Sequence, residues 1–229
     1  MKRNIITTAD GSSTIQIEEW NEQYHSVHGA IQEANHVYIK HGFLFRSQSE
    51  PAISGPLHLL EIGFGTGLNA MLTYETALGA GQLVDYVGVE AFPVASEELA
   101  QLNYVDQLEI DANVFKALHE SAWNQKTSIS EEFSLHKQQK LFKDISEKDR
   151  FDVIYFDAFG PRVQPELWDE SVFKIMFDAL RERGVLSTYC AKGSVRRAMQ
   201  SVGFLVERLP GPPGKREMLR ATKHSSKAE

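Results

Sequence analysis

Short apolar runs alternate with longer helical stretches along most of the chain, and turn residues follow each run. This alternation is typical of βαβ units, so it predicts a mostly parallel sheet with right-handed crossovers. The N-terminal half has predicted strands at Leu57–Ile62, Val84–Glu90 and Phe133–Phe142, and predicted helices at Asn69–Leu78, Ser96–Leu102 and Asp106–Trp123.

The C-terminal half continues the alternation and then ends in two consecutive strands. The predicted strands are Phe151–Phe156, Val185–Cys190, Phe204–Leu209 and Arg216–Thr222, and the predicted helices are Leu167–Arg183, ended by Gly184, and Ser194–Val202, ended by Gly203. A loop rich in proline and glycine separates the last two strands, so we expect an antiparallel hairpin there. Seven strands in this arrangement resemble the class I methyltransferase fold, a Rossmann-like α/β fold.

A glycine loop follows the first strand of the predicted sheet. Glu61 lies at the end of this strand, and Gly63, Gly65 and Gly67 then have the spacing G-x-G-x-G; we expect all four to contact the cofactor. Glycines let a chain turn sharply and approach a bulky ligand closely, although the same glycines can serve a tight turn alone. A dinucleotide loop, G-x-G-x-x-G, would place its third glycine at residue 68, which is leucine. The spacing therefore favours S-adenosylmethionine over NAD.

A second acidic residue ends the next strand. Glu90 stands where nucleotide-binding folds place a carboxylate that accepts both ribose hydroxyls. This position supports a nucleoside ligand but does not indicate which nucleoside. The alternative interpretation is that Glu90 is only a solvent-exposed residue at the end of a strand. Asn69 begins the helix after the glycine loop, and Tyr24 lies in the N-terminal segment; both are further candidates for contacts around the methionine end of the cofactor.

The length and composition fit one catalytic domain. A chain of 229 residues with 42% apolar content can bury one good core. We expect this domain at 56–223, with an N-terminal extension at 1–55 packed on it and a disordered tail at 224–229.

The single cysteine, Cys190, excludes an internal disulfide framework, and the sequence has neither a membrane span nor the apolar core of a signal peptide. We therefore expect a soluble cytoplasmic protein.

Charge is distributed unevenly. The net charge is −7, yet the segment 181–229 has 11 Lys and Arg against 4 Asp and Glu. A local basic face can bind phosphates on an acidic protein, although these side chains could also merely solvate the last strands.

The end of the fourth strand has a second group of chemical interest. Asp157 follows Phe151–Phe156, beside the first strand, where ligands of open α/β sheets bind. Methyl transfer to an amine requires a neutral nitrogen lone pair aligned with the methyl carbon, and a carboxylate can orient the amine and accept its proton. Phe159 and Pro161 make this turn similar to the D/N-P-P-Y/F turn of amino-methyltransferases. A role for Asp157 in capping the turn is the alternative.

Several sequence blocks together resemble the tRNA 5-methylaminomethyl-2-thiouridine methyltransferases, the family that comprises the methyltransferase half of MnmC and the stand-alone MnmD form. The blocks are Asp10-Gly11-Ser12, Tyr24-His25-Ser26, Glu61 to Asn69, Phe156 to Phe159, Pro165 to Trp168, Val195-Arg196-Arg197 and Gly214 to Leu219. Gly160 departs from the alanine common in the family.

The resemblance implies methylation of the aminomethyl nitrogen on the wobble uridine of tRNA, with Asp157 as the acid beside that nitrogen. It implies no FAD oxidase activity, because the chain has no room for the oxidase domain of the bifunctional relatives. It also places Asp144 where an acid accepts from the adenine amino group, with Asp111 as the competitor.

The tRNA anticodon arm is the expected partner, and we expect no membrane, DNA or metal ligand. The candidate substrate contacts are Phe159 for the base, and Lys192, Arg196, Arg197, Lys215 and Arg216 for the phosphates flanking a splayed wobble base. The histidines His25, His28 and His36 lack a completing acid or cysteine pattern for a metal site. Two other functions remain open: a small-molecule amine N-methyltransferase, and a nucleotide-binding or dinucleotide-dependent module without methyl transfer.

Overall fold

The computed structural model describes residues 2–224, which form two sheets with helices around them. The strands are β1 (Arg3–Thr7), β2 (Ser13–Ile17), β3 (Glu22–Gln23), β4 (Leu57–Ile62), β5 (Val84–Val89), β6 (Lys126–Ser128), β7 (Phe133–Gln138), β8 (Phe151–Phe156), β9 (Leu180–Thr188), β10 (Phe204–Pro210) and β11 (Glu217–Lys223). The helices are α1 (Ala30–Ala34), α2 (Phe45–Ser47), α3 (Leu68–Ala80), α4 (Ser96–Leu99), α5 (Tyr104–Leu108), α6 (Ala112–Glu120), α7 (Glu170–Ala179) and α8 (Gly193–Ser201). Wider π-helical turns, Asn35–Leu44, join α1 to α2.

The large sheet has the strand order β10-β11-β9-β8-β4-β5-β7-β6. Its five central strands, from β9 to β7, run parallel, whereas β11 pairs antiparallel with both β9 and β10. The predicted fold class is confirmed, including the C-terminal hairpin. The eighth strand, β6, was not predicted, because this short edge strand is largely exposed and has no apolar run.

The central strands are buried on both faces, as expected when helices cover a parallel sheet. One face packs against α3 and the π-helical turns, with the buried side chains Tyr38, Phe43, Leu59, Met71 and Tyr155. The other face packs against α7 and α8, with Ile62, Phe156, Phe173, Met176 and Met199. Because both layers are closely packed, the carboxyl ends of β4 and β8 are held in fixed positions.

The N-terminal segment forms a three-stranded antiparallel sheet, β1-β2-β3. Asn103 binds it to the large domain: its Oδ1 accepts from the backbone N–H of Ser13 at 2.8 Å, and its Nδ2 donates to the carbonyl of Gly11 at 2.9 Å. Arg3 and Glu98 form an ion pair at 2.9 Å across the same boundary. The exact domain limits at residues 55 and 223 stay predictions.

The helix predicted over Leu167–Arg183 was wrong at both ends. A 3-10 turn covers Pro165–Trp168, and α7 then runs from Glu170 to Ala179. Leu180 instead begins β9, where it pairs with Phe151 of β8, so strand pairing overrides a helical pattern that continues past Ala179. Gly184 is therefore inside a strand and does not end the helix.

Two other helix predictions were too long. The stretch predicted as one helix, Asp106–Trp123, is divided into α5 and α6, because Glu109 adopts a left-handed conformation with φ of 53°. The helix predicted over Ser96–Leu102 ends at Leu99. Within residues 2–224, no helix combines the length with the apolar composition that a membrane span requires. Apart from His224, the predicted tail lies outside the described residues.

Candidate functional site

The glycine loop turns sharply between β4 and α3, and its glycines are required by the geometry. Gly63 has φ of +87°, and a Cβ built there would lie 2.6 Å from the carbonyl oxygen of Asp157. Gly65 has φ of +49°, and its Cβ would lie 3.1 Å from the ring of Tyr24. Gly67, with φ of +74°, precedes the first residue of α3. A larger residue would be strained at each of the three positions, and at Gly63 it would push the ends of β4 and β8 apart.

Asn69, in the first turn of α3, connects two carboxyl groups. Its Nδ2 donates to Oε1 of Glu61 at 2.9 Å and to Oδ2 of Asp157 at 2.8 Å. The hydroxyl of Tyr86 donates to the other oxygen of Glu61 at 2.8 Å. Burial raises the pKa of Glu61 well above its usual value, despite these hydrogen bonds. Glu61 thus fixes the side chain of Asn69, which in turn holds Asp157.

Asp157 lies at the end of β8, between Asn69 and Tyr38. The hydroxyl of Tyr38 donates to Oδ1 of Asp157 at 2.6 Å. Burial, assisted by the nearby Glu33 carboxylate, raises the pKa of Asp157 to about 7, while the hydrogen bonds from Tyr38 and Asn69 and the charge of Lys215 oppose this rise. Asp157 therefore interconverts between acid and carboxylate near neutral pH, as a proton acceptor should.

The alternative role of Asp157 as a turn cap has no support in the hydrogen bonds of the described residues. Its carboxylate accepts from two side chains, those of Tyr38 and Asn69, and from neither of the N–H groups that follow in the turn. The turn itself is held by Tyr189, whose hydroxyl donates to the carbonyl of Ala158 at 2.8 Å, and by Trp168, whose Nε1 donates to that of Phe159 at 2.7 Å.

A cavity of about 650 Å³ opens beside this group, at the carboxyl ends of β4, β5 and β8. Gly63, Gly65, Glu90, Phe92, Asp157 and Phe159 are among the residues that line it. Glu90 accepts hydrogen bonds from the backbone N–H of Gly65 at 3.2 Å and of Phe92 at 2.9 Å. The two acidic residues predicted from the sequence, Glu90 and Asp157, thus border the same cavity.

The two candidates for the adenine contact have different surroundings. Asp111 begins α6, where its carboxylate accepts from the N–H of Asn113 at 2.8 Å, so it already caps a helix. Asp144 is exposed in a 3-10 turn whose residues Phe142 and Lys143 line the cavity. Because Asp144 lies beside the cavity, it is the better candidate for the adenine contact than Asp111. The adenine contact itself stays a prediction.

The residues of the cavity fit S-adenosylmethionine. Gly63 and Gly65 leave bare backbone at its wall. Asn69 lines a small adjoining cavity, which shares Gly63, Gly65 and Asp157 with the large one, and its Oδ1 is a buried acceptor with no partner among the described residues. A buried acceptor without a partner is costly, and an ammonium group of a ligand would satisfy it. Gly63, Gly65, Asn69 and Glu90 could therefore hold the cofactor, with Glu90 as the acceptor for ribose hydroxyls.

The predicted phosphate contacts are not brought together. Lys215 forms an ion pair with the buried carboxylate of Glu33, and its ammonium lies 4.0 Å from the ring centre of Tyr189, beside the cavity. The side chain of Arg216 is 90% exposed, and its Nε lies 3.8 Å from Oε1 of Glu217. Other C-terminal cations are also paired with acids, namely Arg181, Arg208, Arg220 and Lys223.

Three candidate cations lie on or next to α8. Lys192 precedes the helix, and Arg196 and Arg197 lie in it. In the part of the chain that the structure describes, none of the three forms a salt bridge, although Arg196 is half-buried and its Nε has no partner. The unpaired positive charge of the C-terminal segment is therefore greatest at α8.

Residues from the N-terminal segment are the main functional candidates that the sequence did not reveal. Tyr38 and Glu33 reach Asp157 and Lys215 from the helix that precedes the large sheet. These contacts join positions far apart in sequence, which no local pattern of residues indicates. His25 binds Thr14 through Nδ1 at 2.9 Å, and burial lowers its pKa to about 4. His36 contacts the carbonyl of Pro210 through Nε2, and no group of three possible metal ligands occurs among residues 2–224.

Comparisons with known proteins agree with this geometry. Residues 115–224 match the model of a family described as S-adenosyl-L-methionine-dependent methyltransferase. The chain is 28% identical over 210 residues to the tRNA 5-methylaminomethyl-2-thiouridine biosynthesis bifunctional protein MnmC of Leptospira interrogans, covering 88% of this chain and 32% of that protein. It is 30% identical over 226 residues to MnmC of Burkholderia multivorans, with coverages of 90% and 33%. The chain thus spans about a third of the length of these relatives.

Solved structures show the same fold. The crystal structure of MnmC2 from Aquifex aeolicus superposes with a TM-score of 0.79 at 23% identity, covering 98% of this chain and 71% of that chain. Spermidine synthase from Thermotoga maritima superposes with a TM-score of 0.60 at 14% identity, with coverages of 96% and 68%. The resemblance to the methyltransferase part of MnmC, the class I fold and S-adenosylmethionine as cofactor are all confirmed by these comparisons.

Proposed function

We propose that this chain transfers a methyl group from S-adenosylmethionine to the aminomethyl nitrogen on the wobble uridine of tRNA. The observation that carries the proposal is the placement of Asp157, which Tyr38 and Asn69 hold at the wall of the cavity that the glycine loop also lines. The relatives named as tRNA 5-methylaminomethyl-2-thiouridine biosynthesis proteins support tRNA as the substrate.

The chemistry requires a neutral amine. When bound, S-adenosylmethionine supplies an electrophilic methyl group on its sulfonium. An alkylamine is an ammonium ion at neutral pH and has no free lone pair, so a proton must be removed before attack. Asp157 is suited to this step because burial raises its pKa to about 7, close to neutral pH. Its oxygens already accept from Tyr38 and Asn69, which fixes the orientation of their remaining lone pairs.

The proposal includes the tRNA anticodon arm as partner and a cytoplasmic location. The candidate contacts to the anticodon arm are Lys192, Arg196, Arg197, Lys215 and Arg216. Lys192, Arg197 and Arg216 are exposed and suited to phosphates, whereas Lys215 already pairs with Glu33. We therefore assign the phosphate contacts chiefly to α8 and Arg216, and we place Lys215 with the groups around Asp157.

A small-molecule amine N-methyltransferase is the second candidate. It is favoured by the internal pairing of several C-terminal cations, which leaves less positive charge for RNA than the sequence suggests. The cavity around Asp157 would serve either acceptor, so the two functions differ in substrate and share one site.

The test is mass spectrometry of nucleosides from tRNA incubated with the enzyme and a labelled methyl donor. The tRNA comes from cells that lack this methylation, and free alkylamines are offered in parallel. We expect label on the aminomethyl group of the wobble uridine. Labelled alkylamines with unlabelled tRNA would contradict the proposal and favour the second candidate.

A further inference from the structure

An aromatic corner lines the cavity beside the glycine loop, and more than half of the sequence separates its N-terminal members from its third member. It consists of Trp20 in the turn between β2 and β3, Tyr24 directly after β3, and Phe159 in the turn after β8. The ring centres of Trp20 and Phe159 lie 5.4 Å apart, and those of Tyr24 and Phe159 4.9 Å apart, both with the rings edge to face. All three side chains line the cavity and are partly exposed.

The corner is next to the reacting groups. Phe159 is two residues from Asp157, and the ring of Tyr24 approaches Gly65 of the glycine loop. Trp20 adds a third ring to this aromatic surface through its contact with Phe159. Gln23 and Gln164 also line the cavity, and each side-chain amide offers both a donor and an acceptor. A cavity with both aromatic rings and amides in its lining suits a planar base with a mixed hydrogen-bonding edge.

Arg162 connects the turn after β8, which contains Phe159, to the turn that contains Trp20. Its Nη2 lies 2.9 Å from the carbonyl oxygen of Trp20, 3.0 Å from that of Asn21 and 2.9 Å from Oε2 of Glu22. Asn21 has φ of 45°, so these two carbonyls belong to a tight left-handed turn. Three acceptors thus converge on one nitrogen, which a simple surface ion pair would not require.

The other side of the corner is held independently. Trp168 fixes Phe159 through the hydrogen bond to its carbonyl, and the Gly160–Gln164 turn is closed by the N–H of Gln164 donating to the carbonyl of Gly160 at 3.2 Å. Within the described residues, Arg162 is the hydrogen-bonding link from this turn to the Trp20–Glu22 turn. Loss of Arg162 would free Trp20 while leaving Phe159 in place.

We propose that Trp20 is the stacking surface for the nucleobase that bears the acceptor amine, and that Arg162 is the positioning residue that holds Trp20 against Phe159. This inference rests on the proposed function, because it assumes that the acceptor is a nucleobase. It makes the N-terminal sheet part of the acceptor site.

The test compares Trp20→Ala, Arg162→Gln and the double variant with the wild-type protein. Methylation of the tRNA is measured, together with its inhibition by the free nucleoside 5-aminomethyl-2-thiouridine. For Trp20→Ala we expect KM for tRNA and the inhibition constant of the nucleoside each to rise about tenfold, the usual scale for loss of one base stack. Arg162→Gln should raise both about fivefold, with kcat changed less than twofold and cofactor binding unchanged.

The double variant separates positioning from general destabilisation. If Arg162 acts through Trp20, adding Arg162→Gln to Trp20→Ala changes neither constant further. Arg183→Gln is the matched control. Arg183, in β9, also makes a long-range side-chain contact with a backbone carbonyl, that of Glu50 at 3.4 Å, and it does not line the cavity. It should leave both constants at the wild-type values.

Three results would overturn the inference. Unchanged constants in Trp20→Ala, with an active wild type, would remove the stacking role and leave the proposed function intact. Additive effects in the double variant would remove the positioning role of Arg162. A wild-type protein that methylates no tRNA would remove the proposed function and this inference with it.

Discussion

At the scale of single residues, the pKa of Asp157 is set by opposing neighbours. Burial and the Glu33 carboxylate raise it, whereas the Tyr38 and Asn69 hydrogen bonds and the Lys215 charge lower it, with a net value of about 7. Because the proposed reaction needs the carboxylate, activity should rise with pH through this value and be lost below it. The Tyr38 hydroxyl is the neighbour that can be removed with the smallest change in shape.

Tyr38→Phe should move the rising limb of the pH profile of kcat/KM upwards by about one unit. The substitution removes a hydrogen bond that stabilises the charged form, and loss of one such bond to a charged group has this magnitude. The profile is measured from pH 5 to 9 with one tRNA preparation, so that ionisation of the acceptor amine contributes equally to both proteins.

Tyr155→Phe is the matched control, since Tyr155 is a buried tyrosine 5.2 Å from the Tyr38 ring whose hydroxyl contacts Thr73 at 3.1 Å. Its profile should coincide with that of the wild type. Coincidence of the Tyr38→Phe profile with the wild type would show that this hydroxyl does not tune Asp157.

At the scale of elements, the glycine loop and the end of β8 form one unit. The parallel pairing of β4 with β8 brings Gly63 against the backbone of Asp157. A shift of the glycine loop would therefore also shift the proposed proton acceptor. The pattern of the sequence predicted both strands and the loop, because buried strands and glycine spacing are local signals. It missed the beginning of β9, because Leu180–Arg183 continue the helical pattern and become a strand through pairing with a distant partner.

Gly63→Ala should weaken both cofactor binding and folding. The added Cβ would lie 2.6 Å from the carbonyl oxygen of Asp157 at a φ of +87°, and strained positions of this kind cost about 1–3 kcal/mol. We expect a lower melting temperature and at least a tenfold loss of S-adenosylmethionine affinity by isothermal titration calorimetry.

The control is Gly79→Ala, in α3, where an added Cβ meets no atom within 4 Å. It should keep full affinity and raise the stability by about 0.4–1 kcal/mol, because alanine favours the helix. Equal behaviour of the two variants would mean that the loop does not need its glycine.

At the scale of the whole molecule, the site is completed by segments far apart in sequence. The composition predicted one domain with an N-terminal extension, but Tyr38, Glu33 and Trp20 were not predicted from the residues, because their contacts join positions more than 100 residues apart. Asp157, Glu90 and the glycines were predictable because each stands at the end of a strand whose apolar pattern is clear. The basic C-terminal segment was predictable as a surplus of charge, whereas its ion pairs depend on the folded arrangement.

Asp157→Ala tests most directly the claim that cofactor and amine meet at this carboxylate. Cofactor affinity is measured by equilibrium dialysis against labelled S-adenosylmethionine, and methyl transfer is followed under single-turnover conditions on the same preparation. We predict that the variant binds the cofactor as the wild type does and that its methyl-transfer rate falls by a factor of about 100 or more, the scale of a positioned acid–base group. A near-normal transfer rate in Asp157→Ala would contradict the account.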